Sequence, residues 1–265
     1  MQKLRRLFQL GFVVAALTVG IRHAMGISRI TCETYCPFGG LEGLLSLLTH
    51  KQFPCATGER NLALFIALIL LTLVSRRVFC SWVCPVGTVS EWILFISRKL
   101  GFGSKKSNAG SGTLISRKWD ARLRWLRLPI LISILYLTFK TGELIFRGVD
   151  PYYIMFSIHG HDVYWWSYVV IGLVLVSIFI IPMAWCRYLC PLGGTLWPFS
   201  RMGAIRLRRT SKCVDCGKCD AVCPWGIDVS KQDDVLSGEC TLCLECTHTC
   251  PVKGALELRT PGGKP

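Results

Sequence analysis

Apolar positions in this chain gather into four long runs instead of alternating or recurring on one helical face. The first is Leu7 to Ile21, behind the basic start Lys3, Arg5 and Arg6. The second is Asn61 to Ser75, bounded by Arg60 and Arg76. The third, Leu126 to Phe139, is interrupted by Arg127 and Pro129, and the fourth, Val163 to Trp185, carries no charge. A bilayer-spanning helix needs roughly 20 apolar residues, about 17 at the short end. The fourth run meets that alone. The others meet it with their flanks, whose Arg and Lys snorkel to the interface. The first run also resembles a signal peptide, but Arg22-His23-Ala24-Met25 offers no small-residue cleavage site. The pattern therefore predicts an α-helical membrane protein with four transmembrane helices.

Basic residues set the expected orientation. The segment Arg76 to Arg124 holds Arg76, Arg77, Arg98, Lys99, Lys105, Lys106, Arg117, Lys118, Arg122 and Arg124, whereas Thr141 to Tyr164 holds only Arg147. The positive-inside rule then places both termini and the 76–124 loop in the cytoplasm, in agreement with four crossings. The Gly-, Ser- and Lys-rich stretch Gly101 to Gly112 reads as a flexible cytoplasmic loop. The location expected is the cytoplasmic (inner) membrane. Composition agrees: hydrophobic residues make up 51% of the 265 and mean hydropathy is +0.43. The net charge of +15 follows from the basic flanks of the apolar runs, so no nucleic-acid partner is expected.

Fifteen cysteines change the picture, because their spacing is that of metal ligands. Residues 213–223 read C-V-D-C-G-K-C-D-A-V-C before Pro224, and residues 240–250 read C-T-L-C-L-E-C-T-H-T-C before Pro251. Both fit the bacterial two-cluster pattern C-x2-C-x2-C-x3-C-P, in which the fourth cysteine serves the other cluster. The expected ligand sets are Cys213, Cys216, Cys219 and Cys250 for one [4Fe–4S] cluster, and Cys240, Cys243, Cys246 and Cys223 for the second. A structural zinc module is the competing reading, but zinc sites favour paired C-x2-C knuckles or Cys/His sets. Residues 201–265 are thus expected to form an α+β, ferredoxin-like domain with two [4Fe–4S] clusters, after a helical membrane domain over 1–200.

A second set of cysteines follows the apolar runs. Cys80-x3-Cys84-Pro85, Cys186-x3-Cys190-Pro191 and Cys32-x3-Cys36-Pro37 share the unit C-x3-C-P-x-G. An i,i+4 spacing puts both thiols on one helical face, and Pro bends the chain after the second cysteine. Cys80, Cys84, Cys186 and Cys190 are expected at the inner boundary, as small buried hydrophobes or as a further Fe–S or metal site. Cys32 and Cys36 are expected at the outer face, as a disulfide or as an outer metal site. His159 and His161, beside Tyr164-Trp165-Trp166, are a candidate quinone contact or interfacial anchors.

The segments R-V-F-C-S-W-V-C-P at 77–85 and W-C-R-Y-L-C-P at 185–191, with the two ferredoxin motifs, carry a family resemblance over roughly residues 60–255. The chain resembles the NapH family, the membrane ferredoxin-type subunits of periplasmic nitrate reductase systems. It is also similar to the C-terminal part of the NosR-type proteins of nitrous oxide respiration. The resemblance implies four helices, cytoplasmic clusters and a quinol dehydrogenase role, with electrons leaving to periplasmic partners. The Cys32/Cys36 unit is not part of the NapH pattern. No nucleotide-binding fingerprint is present. The function expected is an electron-transfer subunit of a respiratory membrane complex, working between the quinone pool and a cytochrome or ferredoxin-type protein. Such a chain is a non-autonomous oxidoreductase subunit with no catalytic acid, base or nucleophile of its own. The alternatives are an iron–sulfur assembly or maturation factor and a redox-sensing factor for another metalloenzyme.

Overall fold

A computed structural model describes residues 1–25, 36–53, 58–100, 116–156 and 165–260. The four apolar runs become α1 (Gln2–Ala24), α3 (Gly58–Ser75), α7 (Arg127–Thr141) and α9 (Trp165–Ile180). Two of them, over Gln2–Arg22 and Gly58–Ser75, are long and apolar enough to cross a membrane by themselves. At ~1.5 Å per residue, α7 and α9 reach about 22–24 Å, short of a ~30 Å hydrocarbon layer. Helix α9 stops before Pro182, which cannot continue it. Helix α6 (Arg117–Leu123) runs into α7 through a 3₁₀ turn with right-handed backbone throughout. All four apolar helices expose large side chains, among them Phe12, Ile66, Leu70, Ile132, Leu173 and Val176. An exposed apolar surface spread over several helices suits lipid and not water.

Between these helices the chain makes three shorter ones that begin at a Cys–Pro step. They are α2 (Pro37–His50), α5 (Pro85–Lys99), preceded by the short α4 (Val78–Trp82), and α10 (Pro191–Met202). Helix α2 packs along α3 and α7, α5 against α1 and α9, and α10 against α3 and α7. The approach of α2 to α3 is close: a Cβ on Gly40 would lie 2.2 Å from the Asn61 carbonyl oxygen. The small helix α8 (Pro151–Phe156) closes the bundle against α1 and α9. The core of this region is Phe38, Val86, Ile134, Phe146, Val174, Ile178 and Trp185. Phe146 stacks on Trp185 and meets Phe38 edge-on.

The C-terminal part is built differently. Strand β1 (Arg206–Arg209) pairs antiparallel with β2 (Leu256–Arg259), with Arg206 opposite Arg259. Between them lie the short helices α11 (Lys218–Val222) and α12 (Glu245–Thr249), packed on each other. Leu207, Trp225, Ile227, Val229 and Val235 form the core.

Buried polar contacts hold this part to the helices. Arg77 donates to Glu239 at 3.0 Å and Arg127 to the same carboxylate at 2.5 Å, with all three side chains buried. Arg124 donates to the Trp225 carbonyl at 2.9 Å and shares Asp120 with Arg187; Asp120 also accepts from the Tyr188 hydroxyl. Arg76 donates to the Ile205 and Ser237 carbonyls. Arg5 bridges Glu91 and Glu245, and Gln2 donates to the Cys243 carbonyl at 2.8 Å. The start of α1 and the ferredoxin-like part therefore lie at one end of the bundle. Arg127, expected to snorkel, is instead buried, because Glu239 supplies a partner that water would otherwise supply.

Burial pushes the Glu239 carboxyl up, but the Arg77 and Arg127 guanidiniums outweigh it and hold the group below its ordinary value. Its stabilising effect is therefore fully present above the ordinary carboxylate range and is lost as pH falls through the depressed value. Removing one member of a buried ion pair costs about 3–5 kcal/mol. Glu239→Gln, which keeps the shape and removes the charge, is expected to loosen the ferredoxin-like part by about that amount. Limited proteolysis between residues 203 and 260 measures it, with faster cleavage expected; an unchanged cleavage pattern would contradict the role given to Glu239.

Candidate iron–sulfur centres

Within the ferredoxin-like part, the two cysteine loops have the same local build. Each first cysteine donates its N–H three residues back, Cys213 to Thr210 and Cys240 to Ser237. Asp215 and Leu242, each two residues on, are left-handed at φ 50° and 48°, and Gly217 and Leu244, four residues on, at 67° and 60°. Three of these four are not glycine, so the loops hold a backbone that side chains ordinarily avoid. Alternation of this kind turns successive N–H groups toward one point, a cradle for an anion.

The fourth cysteine of each motif crosses over. Cys213, Cys216, Cys219 and Cys250 line a single cavity. Cys223 lies within electrostatic reach of Cys240, Cys243 and Cys246, and it packs in the same apolar core as Cys240 and Cys246. Burial pushes the Cys223, Cys240, Cys243 and Cys246 thiols up. Burial and the neighbouring Asp220 push Cys219 up to about 12. Thiols in such surroundings become thiolates only against a bound metal charge. The donor set is soft sulfur throughout, which fits iron–sulfur chemistry. Among the described residues no group of three or more His, Cys, Asp or Glu side chains is placed to hold a single metal ion.

In the helical part, Cys36, Cys84 and Cys190 each stand just before a Pro that opens a helix, and all three have extended backbone. The same conformation recurs at Cys223 and Cys250, also before Pro. Proline disfavours the helical conformation for the residue before it, so the Cys36, Cys84 and Cys190 thiols stand at helix starts and those of Cys223 and Cys250 at helix ends. Cys84 and Cys190 donate their N–H groups five residues back, to Phe79 and Trp185, a widened turn frequent at functional sites. A Cβ on Gly87 would fall 2.1 Å from the Cys80 carbonyl oxygen, and one on Gly193 3.3 Å from that of Cys186. That contact requires glycine at 87 and favours it at 193, whereas at Gly39 the atom nearest to such a Cβ is Asn61 Nδ2 at 3.4 Å.

Cys80, Cys84, Cys186 and Cys190 come together, close enough to interact electrostatically. Cys186 also packs against the ferredoxin-like core, so the two groups of thiols adjoin. Cys36 is not set apart at an outer face. It lines a cavity of about 50 Å³ together with Cys84, Cys186 and Cys190, because α2 starts inside the bundle where its glycines pack on α3. Cys32, His159, His161 and the 101–112 loop lie outside the described residues.

Sequence reasoning missed the buried acids Asp120, Glu239 and Asp150. Their one visible signal was Arg127 interrupting an apolar run, and the partner of that charge lies 112 residues away in the chain.

The crossover has a direct test. Cys213→Ser and Cys250→Ser are expected to remove the same EPR signal from the dithionite-reduced protein, and Cys223→Ser a different one, shared with Cys243→Ser. If Cys213→Ser and Cys223→Ser removed one and the same signal, the assignment would fail.

Comparison with known proteins agrees with this geometry. Residues 57–103 and 163–210 match a family described as a 4Fe-4S binding domain, and residues 205–251 match one described as a 4Fe-4S dicluster domain. YccM of Escherichia coli is 32% identical over 231 residues, covering 84% of this chain and 62% of YccM. MJ0750 of Methanocaldococcus jannaschii is 32% identical over 189 residues, 71% of this chain and 75% of that protein. The ferredoxin-type protein NapH of Haemophilus influenzae is 28% identical over 200 residues, 71% of this chain and 64% of NapH. The chain thus spans less than two thirds of the length of YccM and of this NapH. No solved structure matches it. The motifs, their placement and these relatives make the chain a member of the NapH-type family of ferredoxin-type 4Fe-4S proteins.

Proposed function

We propose that this chain is the electron-transfer subunit of a respiratory membrane complex, passing electrons between the quinone pool and redox protein partners. The observation that carries the reading is contiguity. The thiols of the ferredoxin loops, Cys186 in their apolar core, and Cys84 and Cys190 beyond it form one unbroken series of soft-ligand positions. Residues Cys213, Cys216, Cys219 and Cys250 would hold one [4Fe–4S] cluster, Cys223, Cys240, Cys243 and Cys246 a second, and the membrane-side thiols a third. Bound there, such clusters supply one-electron chemistry.

The chain's own contribution is position and charge. The Arg77–Glu239–Arg127 contact holds the Cys240 loop against α4, which carries Cys80, and against α7, which packs on the helix that Cys190 opens. Helix starts at Pro85 and Pro191 direct partial positive charge at the membrane-side thiols, which favours thiolate. A cavity of about 550 Å³ opens between α6–α7, α10 and the ferredoxin-like part, walled by Trp125, Trp197, Arg127, Arg201 and Glu239. Its size and mixed aromatic and polar wall suit a headgroup with a planar ring. It supports a quinone contact at the ferredoxin end of the bundle, alongside the outer contact expected at His159 and His161. The ferredoxin-type name of the NapH relative supports the redox partners.

In anaerobic protein reconstituted into liposomes, a short-chain quinol is expected to reduce the clusters, releasing two electrons and two protons per quinol. Bleaching of the visible iron–sulfur absorption follows it. Trp197→Ala is expected to slow that bleaching about 10-fold, the effect of roughly 1.4 kcal/mol of lost contact, and to leave reduction by dithionite unchanged. Clusters that dithionite reduces but no quinol does would remove the quinone pool from the reading and leave electron transfer standing.

A further inference from the structure

We propose that the three C-x3-C-P-x-G units build one metal centre, in which Cys36 joins Cys84, Cys186 and Cys190 as the fourth ligand of an iron–sulfur cluster and Cys80 stays outside it. The proposal rests on the reading of the membrane-side thiols as cluster ligands and changes which four they are.

The first argument is convergence. Helices α2, α5 and α10 come from distant parts of the chain, yet the cavity of about 50 Å³ is lined by the opening residues of all three. Each helix presents the cysteine that precedes its first proline. Backbone angles are φ −86°, ψ 105° at Cys36, −65°, 118° at Cys84 and −64°, 113° at Cys190. The shared conformation means a shared way of presenting sulfur. Cys186 is the fourth thiol on the wall.

The second argument is the position of Cys80. It does not line this cavity. It stays within electrostatic reach of Cys84, Cys186 and Cys190, but its own charged neighbours are Arg77 and Glu239, at the seam with the ferredoxin-like part. Its carbonyl is covered by the first turn of α5 at Gly87. Four thiols therefore face the cavity, and the one contributed by α2 takes the place expected for Cys80.

The third argument is charge. The remaining wall is largely apolar, with Phe38, Val86, Phe146 and Trp185 buried around it. Four thiolates there need positive charge. Iron supplies most of it, and three helix starts, on helices of 14, 15 and 12 residues, point the same way. Two acids near Cys36, Asp150 and more weakly Glu42, oppose them. The Asp150 carboxylate accepts from the Cys36 thiol at 3.7 Å and from the Tyr152 N–H at 3.0 Å. Ligation by Cys36 would form an iron–sulfur bond in place of the S–H bond, the thiol proton passing along this contact to the Asp150 carboxylate.

The test uses the full-length protein, purified anaerobically in detergent, with Cys36→Ser, Cys80→Ser and Cys190→Ser as single variants. Iron and acid-labile sulfide per chain and the EPR spectrum of the reduced protein are read, the ferredoxin-domain signals serving as the check on folding. Cys36→Ser and Cys190→Ser are each expected to lose about four iron atoms, one cubane, while Cys80→Ser keeps the wild-type content. Wild-type iron in Cys36→Ser with loss in Cys190→Ser would overturn this inference alone. Wild-type iron in both would overturn the membrane-side cluster itself. A second measurement needs no variant. Cys36 in the native protein is expected to resist alkylation and to react after iron is stripped by chelator, read by mass spectrometry of its peptide. Equal labelling before and after stripping would likewise overturn the proposal.

Discussion

A buried carboxylate between two buried guanidiniums holds this protein together. Glu239 lies next to a ferredoxin cysteine, Arg77 next to the first thiol of a membrane-side pair, and Arg127 at the start of α7. Each of these charges is expensive to bury alone. Together they are tolerable, and only in one arrangement, with the Cys240 loop pressed against the helices. Arg124, which shares Asp120 with Arg187 and donates to the Trp225 carbonyl, and Arg5, between Glu91 and Glu245, add further paired charges at the same seam. A hydrophobic seam would permit sliding. Paired charges with directed hydrogen bonds specify one register.

On that frame the chain uses one local device repeatedly. A cysteine followed by proline takes extended backbone, opening a helix after Cys36, Cys84 and Cys190 and closing one at Cys223 and Cys250. Five cysteines have this conformation: Cys36, Cys84, Cys190, Cys223 and Cys250. In the ferredoxin-like part the device passes a thiol across to the other loop's set. In the helical part it brings thiols from separate helices to a common wall. The same stereochemical restriction on the residue before proline thus serves both halves of the molecule.

The ferredoxin cysteines were legible in the sequence because their spacing is local: a loop of three cysteines at x2 intervals leaves little freedom in where sulfur goes. The C-x3-C-P bends were legible for the same reason. What could not be read was tertiary. Cys36 was expected at an outer face, since counting apolar runs says only that one crossing precedes it. Where α2 sits depends on how Gly40 packs over Asn61, a contact between separate helices. The length of α9 was overestimated because the uncharged run was read through Pro182, which ends the helix. The acids opposite Arg77, Arg127 and Arg187 lie between 67 and 162 residues away in the chain, and no periodicity connects them.

The central claim is that the helices and the ferredoxin-like part form one continuous iron–sulfur unit, not a cluster domain attached to a passive anchor. Native mass spectrometry of the intact, anaerobically purified protein in detergent tests it most directly, because the mass above that of the polypeptide counts clusters without chemical extraction. The account predicts an increment for about twelve iron and twelve sulfide atoms, three cubanes. An increment for about eight of each in protein that transfers electrons at full rate would contradict it.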